Sequence, residues 1–210
     1  MTTVTLIHAT PNAEQLLAKI ARVSNPKNED NPSFEGLLRY MIKHNHWSPF
    51  EMVSACVEIE TTRDIGRQIL RHRSFSFQEF SQRYADTNEL TPVAELRECR
   101  LQDTTNRQSS LPCDDHGINN WWHNAQADLL MTADNIYSEA LRRGIAKEQA
   151  RAVLPEGLTP TRMYMHGTLR SWMHYLQLRT GVETQKEHRE IAEQIKAALT
   201  PAFPTVMGLL

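Results

Sequence analysis

The segment from Arg71 to Tyr84 (RHRSFSFQEFSQRY) combines anion-binding side chains with aromatic rings. It contains arginines, a histidine and serines, interleaved with three phenylalanines. A solvated basic helix end, whose cations complement the helix dipole, is the ordinary explanation of one Arg-His-Arg triplet. The phenylalanines argue against it, because an unpaired guanidinium group among buried rings is very costly. Phosphate is the natural partner of such arginines, through bidentate charge-assisted hydrogen bonds.

The other arginines are unevenly distributed along a chain of small net charge. Arg63 and Arg67 precede the segment, and a later group extends from Arg142 to Arg179. The formal net charge of the 210 residues is -2, which disfavours a nucleic-acid-binding protein. Local positive charge in a slightly acidic protein therefore indicates a confined anionic ligand.

Apolar spacing predicts the elements that position these residues. Strands are predicted at 3–7, 52–59 and 161–165, and helices at 12–23, 33–44, 61–71, 118–143, 147–153, 168–178 and 187–199. Asn12 is a plausible N-cap, Gly144 a C-terminal cap, and the helix 61–71 would carry Arg63, Arg67 and Arg71 on one side. Helices outnumber strands without strict alternation, which favours an α+β class with a mainly antiparallel sheet flanked by helices. A single domain over 1–210 is expected, with an irregular excursion at about 85–117.

Cysteine use and hydropathy indicate a cytoplasmic protein. Cys56, Cys99 and Cys113 lie far apart without a CxxC pair, which suits reduced thiols. No apolar run approaches the roughly 20 residues needed to span a bilayer, and the N-terminus lacks the features of a signal peptide. His44 and His46 could be a metal pair, but no third ligand follows at a recognisable spacing, so no metal site is predicted.

The sequence resembles the flavin-dependent thymidylate synthases. In the signature of that family RHR is followed after seven residues by a serine, and then by an arginine; the matching residues are Arg71, His72, Arg73, Ser76, Glu79, Ser81, Arg83 and Tyr84. Similar segments follow in family order at 21–24 (ARVS), 44–51 (HNHWSPFE), 106–109 (NRQS), 150–155 (ARAVLP) and 170–179 (RSWMHYLQLR). The poorly covered parts are 90–117 and the extreme C-terminus.

The resemblance implies a reaction, a set of ligands and an assembly. The carbon of methylenetetrahydrofolate would be transferred to dUMP to give dTMP, with FAD that NADPH re-reduces, in a homotetramer whose sites are shared between subunits. The residues implied for FAD are Ser24, Ser48, Arg71, His72, Arg73, Glu79, Thr168, Arg170 and His174. Those implied for dUMP are Gln68, Arg71, Glu79, Ser81, Arg83, Arg151 and Arg179. His46 would lie near the folate or the flavin.

Arg179 is the predicted catalytic residue. Its guanidinium group stays protonated and could stabilise negative charge that develops on the uracil ring; the alternative is a charge at a helix C-terminus. Ser81 is predicted to contact phosphate or uracil rather than to act as a nucleophile, which would need a base such as His72 within reach. Departures from the family pattern at Thr168, Gln78 and Glu183 put individual flavin contacts in doubt.

Two other functions stay open at this stage. One is a different nucleotide-binding flavoprotein. The other is an arginine-rich nucleic-acid-binding module, which would need a basic face and binding that weakens steeply with salt. The absorbance spectrum of the purified protein separates the second from any flavoprotein.

Overall fold

A four-stranded antiparallel sheet forms the centre of the computed structural model, which describes residues 2–86, 90 and 96–210. The strands are β1 (Thr3–Ala9), β2 (Ser54–Thr62), β3 (Ser76–Glu79), β4 (Arg100–Gln102), β5 (Ser110–Pro112) and β6 (Pro160–Thr168). The main sheet has the order β1-β2-β6-β3, and β4 pairs with β5 in a separate two-stranded sheet.

Eight α-helices surround the sheet in the described part of the chain. They are α1 (Ala13–Ala21), α2 (Glu35–Lys43), α3 (Arg63–Ile69), α4 (His116–Arg142), α5 (Lys147–Ala150), α6 (Leu169–Arg179), α7 (Lys186–Leu199) and α8 (Pro204–Met207). Short 3-10 helices lie at Pro26–Asn28, Ser48–Glu51 and Arg151–Val153. Within the described residues, no helix is long and apolar enough to cross a membrane.

The two central strands, β2 and β6, bury every second side chain because successive residues of a strand point to opposite faces. Val57 lies opposite Met165, and Ile59 opposite Met163, so the buried side chains share one face. The fully buried Trp172 of α6 packs in the same core, where its indole Nε1 donates to the Ala55 carbonyl at 3.3 Å. The core thereby fixes α6 relative to the sheet.

The close approach of an aromatic ring to β6 fixes the segment just before β3. Phe75 lies edge-on to Trp172, with ring centroids 4.6 Å apart. A Cβ atom added to Gly167 would lie 2.4 Å from Cδ1 of Phe75, so only glycine leaves room for the ring. Phe75 thus anchors the Arg71–Tyr84 segment in the core, as its phenylalanines had indicated.

The α+β class and the antiparallel sheet are confirmed, while several local predictions are wrong. Helix α3 ends at Ile69, so Arg71 does not share a helix face with Arg63 and Arg67. Asn12 does occupy the N-cap position of α1, where its carbonyl accepts from the Leu16 N–H at 2.9 Å, but its φ is 48° and its side chain makes no capping bond. Gly144 does follow α4 with a φ of 79°, as expected of a C-terminal cap.

Elements that the sequence did not predict are β3, the hairpin β4–β5 and α8. Strand β3 holds part of the Arg71–Tyr84 segment, which had been assigned to a helix end. The hairpin lies in the predicted irregular excursion, so that region is more regular than expected. Residues 87–89 and 91–95 of the excursion lie outside the described part of the chain.

Candidate active site

A tight turn after α3 presents the Arg-His-Arg triplet. The backbone N–H of His72 donates to the Ile69 carbonyl at 3.0 Å, and that of Phe75 donates to the His72 carbonyl at 3.2 Å. Phe75 points into the core, His72 is half-buried, and Arg71 and Arg73 are exposed. The turn therefore separates one half-buried histidine from two arginines that face solvent.

The imidazole of His72 is held by the last residue of α6. Arg179 Nε donates to Nε2 of His72 at 2.9 Å. Since Nε2 accepts this bond it carries no proton, and a neutral ring must carry its proton on Nδ1. Burial, followed by the positive charges of Arg179 and His174, lowers the pKa of His72 to about 4. The ring is thus a neutral acceptor that orients the catalytic arginine predicted from the sequence.

A buried chain of polar groups continues from this pair into the core. The ring of His72 meets Tyr175 edge-on, with centroids 4.8 Å apart. The Tyr175 hydroxyl lies 3.0 Å from Nε2 of His188, and Nδ1 of His188 lies 3.2 Å from Oε1 of Gln68. Gln68, implied for dUMP binding, is partly exposed and also donates from Nε2 to Oε1 of Gln185 at 2.7 Å. These contacts connect five residues, and we call this group the buried relay: Gln68, His188, Tyr175, His72 and Arg179.

His188 is a residue that the sequence analysis missed. It lies on the apolar stripe of α7 and is fully buried. A signal was present, because His188, Ile191, Ala192 and Ile195 follow helical spacing, with histidine as the one polar member. Burial, followed by the charge of Arg179, lowers the pKa of His188 to about 3.

The arginines of the Arg-His-Arg triplet differ from several other arginines in their ion pairing with carboxylates. Arg67 pairs with Glu156 at 2.7 Å, and Arg162 with Glu60 at 3.0 Å. Within residues 2–86, 90 and 96–210, Arg71 and Arg73 form no such ion pair with a carboxylate. Their charge is available to an anionic ligand.

A second group of predicted residues lies between β3 and α5. Ser81 Oγ accepts from the backbone N–H of Arg83 at 3.4 Å, and Arg83 Nε pairs with Glu148 at 3.3 Å. Arg151, next to α5, has no carboxylate partner among the described residues. We call Ser81, Arg83 and Arg151, with Glu79, the strand-end group.

A cleft of about 440 Å³ adjoins this strand-end group; the residues that line it include Arg63, Arg67, Gln82, Glu148 and Arg151. The Nε2 atom of Gln82 is buried and has no hydrogen-bond partner in the described part of the chain. The lining Arg63 pairs with Glu79 at 3.6 Å, and Oε1 of Glu79 accepts from Thr161 Oγ1 at 2.9 Å. The cleft thus combines free donors with positive charge, which suits an anionic group.

Three of the residues implied for FAD, Ser48, Thr168 and Arg170, lie around the start of α6. Arg170 pairs with Glu51, which connects α6 to the 3-10 helix that begins at exposed Ser48. The side chain of Thr168 caps α6 by accepting from the Ser171 N–H at 3.3 Å. Ser171 Oγ in turn donates to the Ser74 carbonyl at 3.3 Å, so α6 touches the Arg-His-Arg turn.

Three further predicted residues are exposed. His174 lies on α6, close enough for its charge to lower the pKa of His72. The ring of His46 lies 6.2 Å from that of His44, and no group of three or more metal-ligating side chains occurs in the described residues. Ser24 follows α1, and within the described ranges its side chain makes no hydrogen bond to the segments above.

Comparison with known proteins identifies the family. The sequence matches the family described as "Thymidylate synthase complementing protein" over residues 5–205. This chain belongs to that family.

Several proteins are similar to this chain over nearly its whole length. A protein named "Flavin-dependent thymidylate synthase" from Synechocystis sp. is 50% identical over 197 residues, which are 94% of this chain and 89% of that protein. A "Probable flavin-dependent thymidylate synthase" from Paramecium bursaria Chlorella virus 1 is 45% identical over 206 residues, covering 98% and 94%. The crystal structure of a UMP/dUMP methylase PolB from Streptomyces cacaoi, bound with 5-Br dUMP, has a TM-score of 0.83 at 28% identity, covering 99% of this chain and 93% of that one.

Proposed function

We propose that this chain is a flavin-dependent thymidylate synthase, which converts dUMP to dTMP with methylenetetrahydrofolate as carbon donor and with FAD that NADPH reduces. The observation that carries the proposal is the Arg179–His72 pair beside the unpaired Arg71 and Arg73. The guanidinium group of Arg179 is a fixed cation next to the turn on which the exposed Arg71 and Arg73 can donate hydrogen bonds to an anion. Family membership and the names of the relatives support the same activity.

The side chains near the Arg-His-Arg turn fit a flavin dinucleotide. FAD carries two phosphates, and planar guanidinium groups bind phosphate oxygens bidentately. Arg71 and Arg73 are exposed and unpaired within the described residues, while Ser48 and His174 offer further exposed polar groups. When bound, the flavin would supply the reducing equivalents for the transferred carbon.

Arg179 stabilises the negative charge of the reacting uracil in this proposal. Its Nε is occupied by His72, which leaves the two terminal nitrogens of the guanidinium group for substrate. Charge develops on the ring as N3 ionises or as carbon 5 becomes nucleophilic, and a cation already oriented in the free enzyme needs no reorganisation to meet it. The neutral state of His72 keeps the cation on Arg179.

The local hydrogen bonds argue against Ser81 as a nucleophile. A serine nucleophile needs a base that accepts its proton. His72 was the base considered from the sequence, but its Nε2 already accepts from Arg179 and its Nδ1 carries the proton. Ser81 is therefore assigned to dUMP binding, with Arg83 and Arg151.

We further propose a homotetramer whose active sites are built from two chains. The contacts divide the predicted dUMP residues into the buried relay and the strand-end group, each held by its own neighbours. Large apolar side chains are exposed on α4 and on the β4–β5 hairpin; they include Leu101, Leu111, Ile118, Trp121, Leu129, Met131 and Ile136. Patches of this kind mark subunit interfaces.

One set of measurements tests the activity. Purified protein should show flavin absorbance bands, and dUMP should perturb them in a saturable way. Mixed with methylenetetrahydrofolate and NADPH, the enzyme should form dTMP in proportion to the dUMP consumed. Flavin bands without dTMP would favour a different nucleotide-binding flavoprotein, and a colourless protein whose binding to DNA weakens steeply with salt would favour the nucleic-acid-binding module.

A further inference from the structure

We propose that His188 is a positioning residue with two contacts, which we call its arms. The Gln68 arm sets the amide orientation of that glutamine, and the Tyr175 arm holds the tyrosine ring against His72. Both arms are in place before substrate binds. The proposal rests on the function proposed above. His188 itself is fully buried and Gln68 is partly exposed, so a ligand can contact the glutamine but not the histidine. His188 acts through its neighbours.

The hydrogen bonds determine the tautomer of His188. Its Nδ1 faces the carbonyl oxygen Oε1 of Gln68, which can only accept, so Nδ1 must carry the proton. The other nitrogen, Nε2, is then an acceptor, and the Tyr175 hydroxyl must donate to it. A neutral ring with its proton on Nδ1 satisfies both partners, whereas the other tautomer would set the bare Nδ1 against the Gln68 carbonyl oxygen, acceptor against acceptor.

The glutamine is fixed from both ends of its amide. Oε1 accepts from His188, and Nε2 donates to Gln185, which in turn donates to Glu187 at 3.0 Å. A flipped amide would set donor against donor at the histidine and acceptor against acceptor at Gln185. The remaining hydrogen of Nε2 and the remaining lone pair of Oε1 therefore have fixed directions, which suits recognition of a polar ring edge.

The tyrosine arm connects His188 to the catalytic arginine. The Tyr175 ring is fully buried and contacts the His72 ring edge-on, and His72 accepts from Arg179. Removal of the histidine would leave the Tyr175 hydroxyl buried without an acceptor, and would favour a shift of the ring. The position of His72, and through it the direction of Arg179, depends on this contact.

Two substitutions separate the arms. In His188→Asn the side-chain amide nitrogen can take the place of Nδ1 and donate to Gln68, while the Tyr175 arm is lost. In His188→Gln the longer side chain can place its oxygen near the former Nε2 and accept from Tyr175, while the Gln68 arm is lost. His188→Leu removes both hydrogen bonds, and Ile191→Ala, on the same stripe of α7, is the control for lost core packing.

The experiment measures dUMP affinity and turnover of each flavin-loaded variant at a temperature at which circular dichroism shows it folded. For His188→Leu we expect at least tenfold weaker dUMP binding together with lower kcat. His188→Asn should recover most of the affinity but not kcat, and His188→Gln should recover kcat more than affinity. Ile191→Ala should lower thermal stability and leave both constants within about twofold of the wild type.

The outcomes are distinct. If His188→Leu folds and keeps the dUMP affinity and kcat of the wild type, or if Ile191→Ala changes them equally, His188 is only a core residue and the proposal is wrong. Nitrogen chemical shifts of selectively labelled His188 give a readout that does not need activity, and a proton on Nε2 would also overturn it. If the wild type neither binds dUMP nor turns over, the proposed function fails, while the tautomer measurement still tests the orientation of Gln68.

Discussion

The buried relay and the strand-end group differ in how completely this one chain satisfies their polar atoms. In the relay, both ring nitrogens of His188 have partners, and Arg179 is oriented by a neutral imidazole. In the strand-end group, Arg151 has no carboxylate partner in the described residues, and in the adjoining cleft Gln82 Nε2 has no hydrogen-bond partner among those residues. The relay is organised within a single chain, whereas the strand-end group has donors left over for a ligand or a second chain.

The difference in polar satisfaction suggests that the two groups have different roles. An arginine held by a neutral histidine keeps its full charge and a fixed direction, which suits stabilisation of a transition state. An exposed arginine such as Arg83, or one without a carboxylate partner in the described residues such as Arg151, suits the capture of a phosphate, whose binding needs charge more than exact orientation. Changes at the Arg179 end of the relay should therefore affect turnover and those at its Gln68 end dUMP binding, whereas changes in the strand-end group should affect assembly of the site and substrate binding.

The largest effect is expected for Arg179→Ala. Loss of one electrostatic donor aimed at the transition state lowers kcat by roughly 10²–10³-fold in other enzymes. Flavin content should stay unchanged, because the guanidinium group is assigned to uracil. Arg179→Lys should rescue poorly, since an ammonium group lacks the planar fork that contacts His72 and is proposed to contact substrate at the same time.

Steady-state dTMP formation, with flavin content measured by absorbance, checks the Arg179 prediction. Arg162→Ala is a matched control, because Arg162 is a partly buried arginine paired with Glu60 on the central strands. Normal thymidylate formation by Arg179→Ala would remove this residue from the mechanism and leave the buried relay without a catalytic role.

Complementation between inactive variants is the next prediction. Arg71 lies beside the buried relay and Arg151 in the strand-end group, and the proposed assembly joins them from different chains. After dissociation and reassociation of an equal mixture, about a quarter of the sites should be wild type at both positions, so activity should return. Neither variant alone should regain activity by the same treatment.

Sedimentation of the same samples decides how a negative result is interpreted. An active monomer would refute a site shared between subunits. A stable, active wild-type oligomer whose variants fail to complement would show only that Arg71 and Arg151 reach the site from one chain.

The spacing of residues along the sequence predicted the strands, a helix end and a buried aromatic ring, because these features depend on interactions within one segment. The alternation of apolar residues predicted the strands β1, β2 and β6 to within a few residues. Gly144 predicted the C-terminal end of α4 in the same way. The Arg71–Tyr84 segment was predicted to hold anion-binding arginines among buried rings; Phe75 does lie in the core, whereas Arg71 and Arg73 are exposed. These features depend on side-chain periodicity and on the cost of burying polar groups.

Long-range contacts were beyond local patterns. Strand β3 forms because its residues, from Ser76 to Glu79, pair with β6 residues from His166 to Met163, between 84 and 90 positions away, and helix α3 ends before Arg71. The contact of His188 with Gln68 spans 120 positions, and the space above Gly167 depends on the Phe75 ring. Spacing within a segment contains no information about such partners.

A third prediction concerns the anchor beneath the Arg-His-Arg turn. Gly167→Ala should destabilise the fold by about 1–3 kcal/mol, because the added methyl group collides with the Phe75 ring and overpacks the core. Lower kcat should accompany the loss, since displacement of Phe75 moves the turn that holds His72. Urea unfolding and steady-state kinetics check both effects.

Gly36→Ala is the matched control for this substitution. Gly36 lies in α2 and no atom would lie within 4 Å of its added Cβ, so alanine should raise stability by up to about 1 kcal/mol through helix propensity. Equal destabilisation by the two substitutions would argue against a specific collision at Gly167.

The last prediction is a loss of stability in mild acid that originates in the buried relay. The pKa of His72 is lowered to about 4 and that of His188 to about 3, first by burial and then by the charge of Arg179. The groups that face His188 are Tyr175 and Arg179 on α6, His72 in the turn and Gln68 on α3, and none supplies a negative charge. The unfolded chain therefore binds more protons than the folded one below the ordinary histidine pKa of about 6.5. Stability is fully present above that pH and is lost as the pH falls.

Urea unfolding between pH 6.5 and 5 isolates this contribution, because most carboxylates titrate at lower pH. At about 1.4 kcal/mol per pKa unit, the two histidines together should lower the free energy of unfolding by about 2–4 kcal/mol across this window. His188→Asn should roughly halve the slope, since one of the two suppressed protonations is removed while the bond to Gln68 is kept. A flat wild-type profile over this range would mean that the relay accepts protons without cost, and hence that His72 does not hold Arg179 as a neutral acceptor.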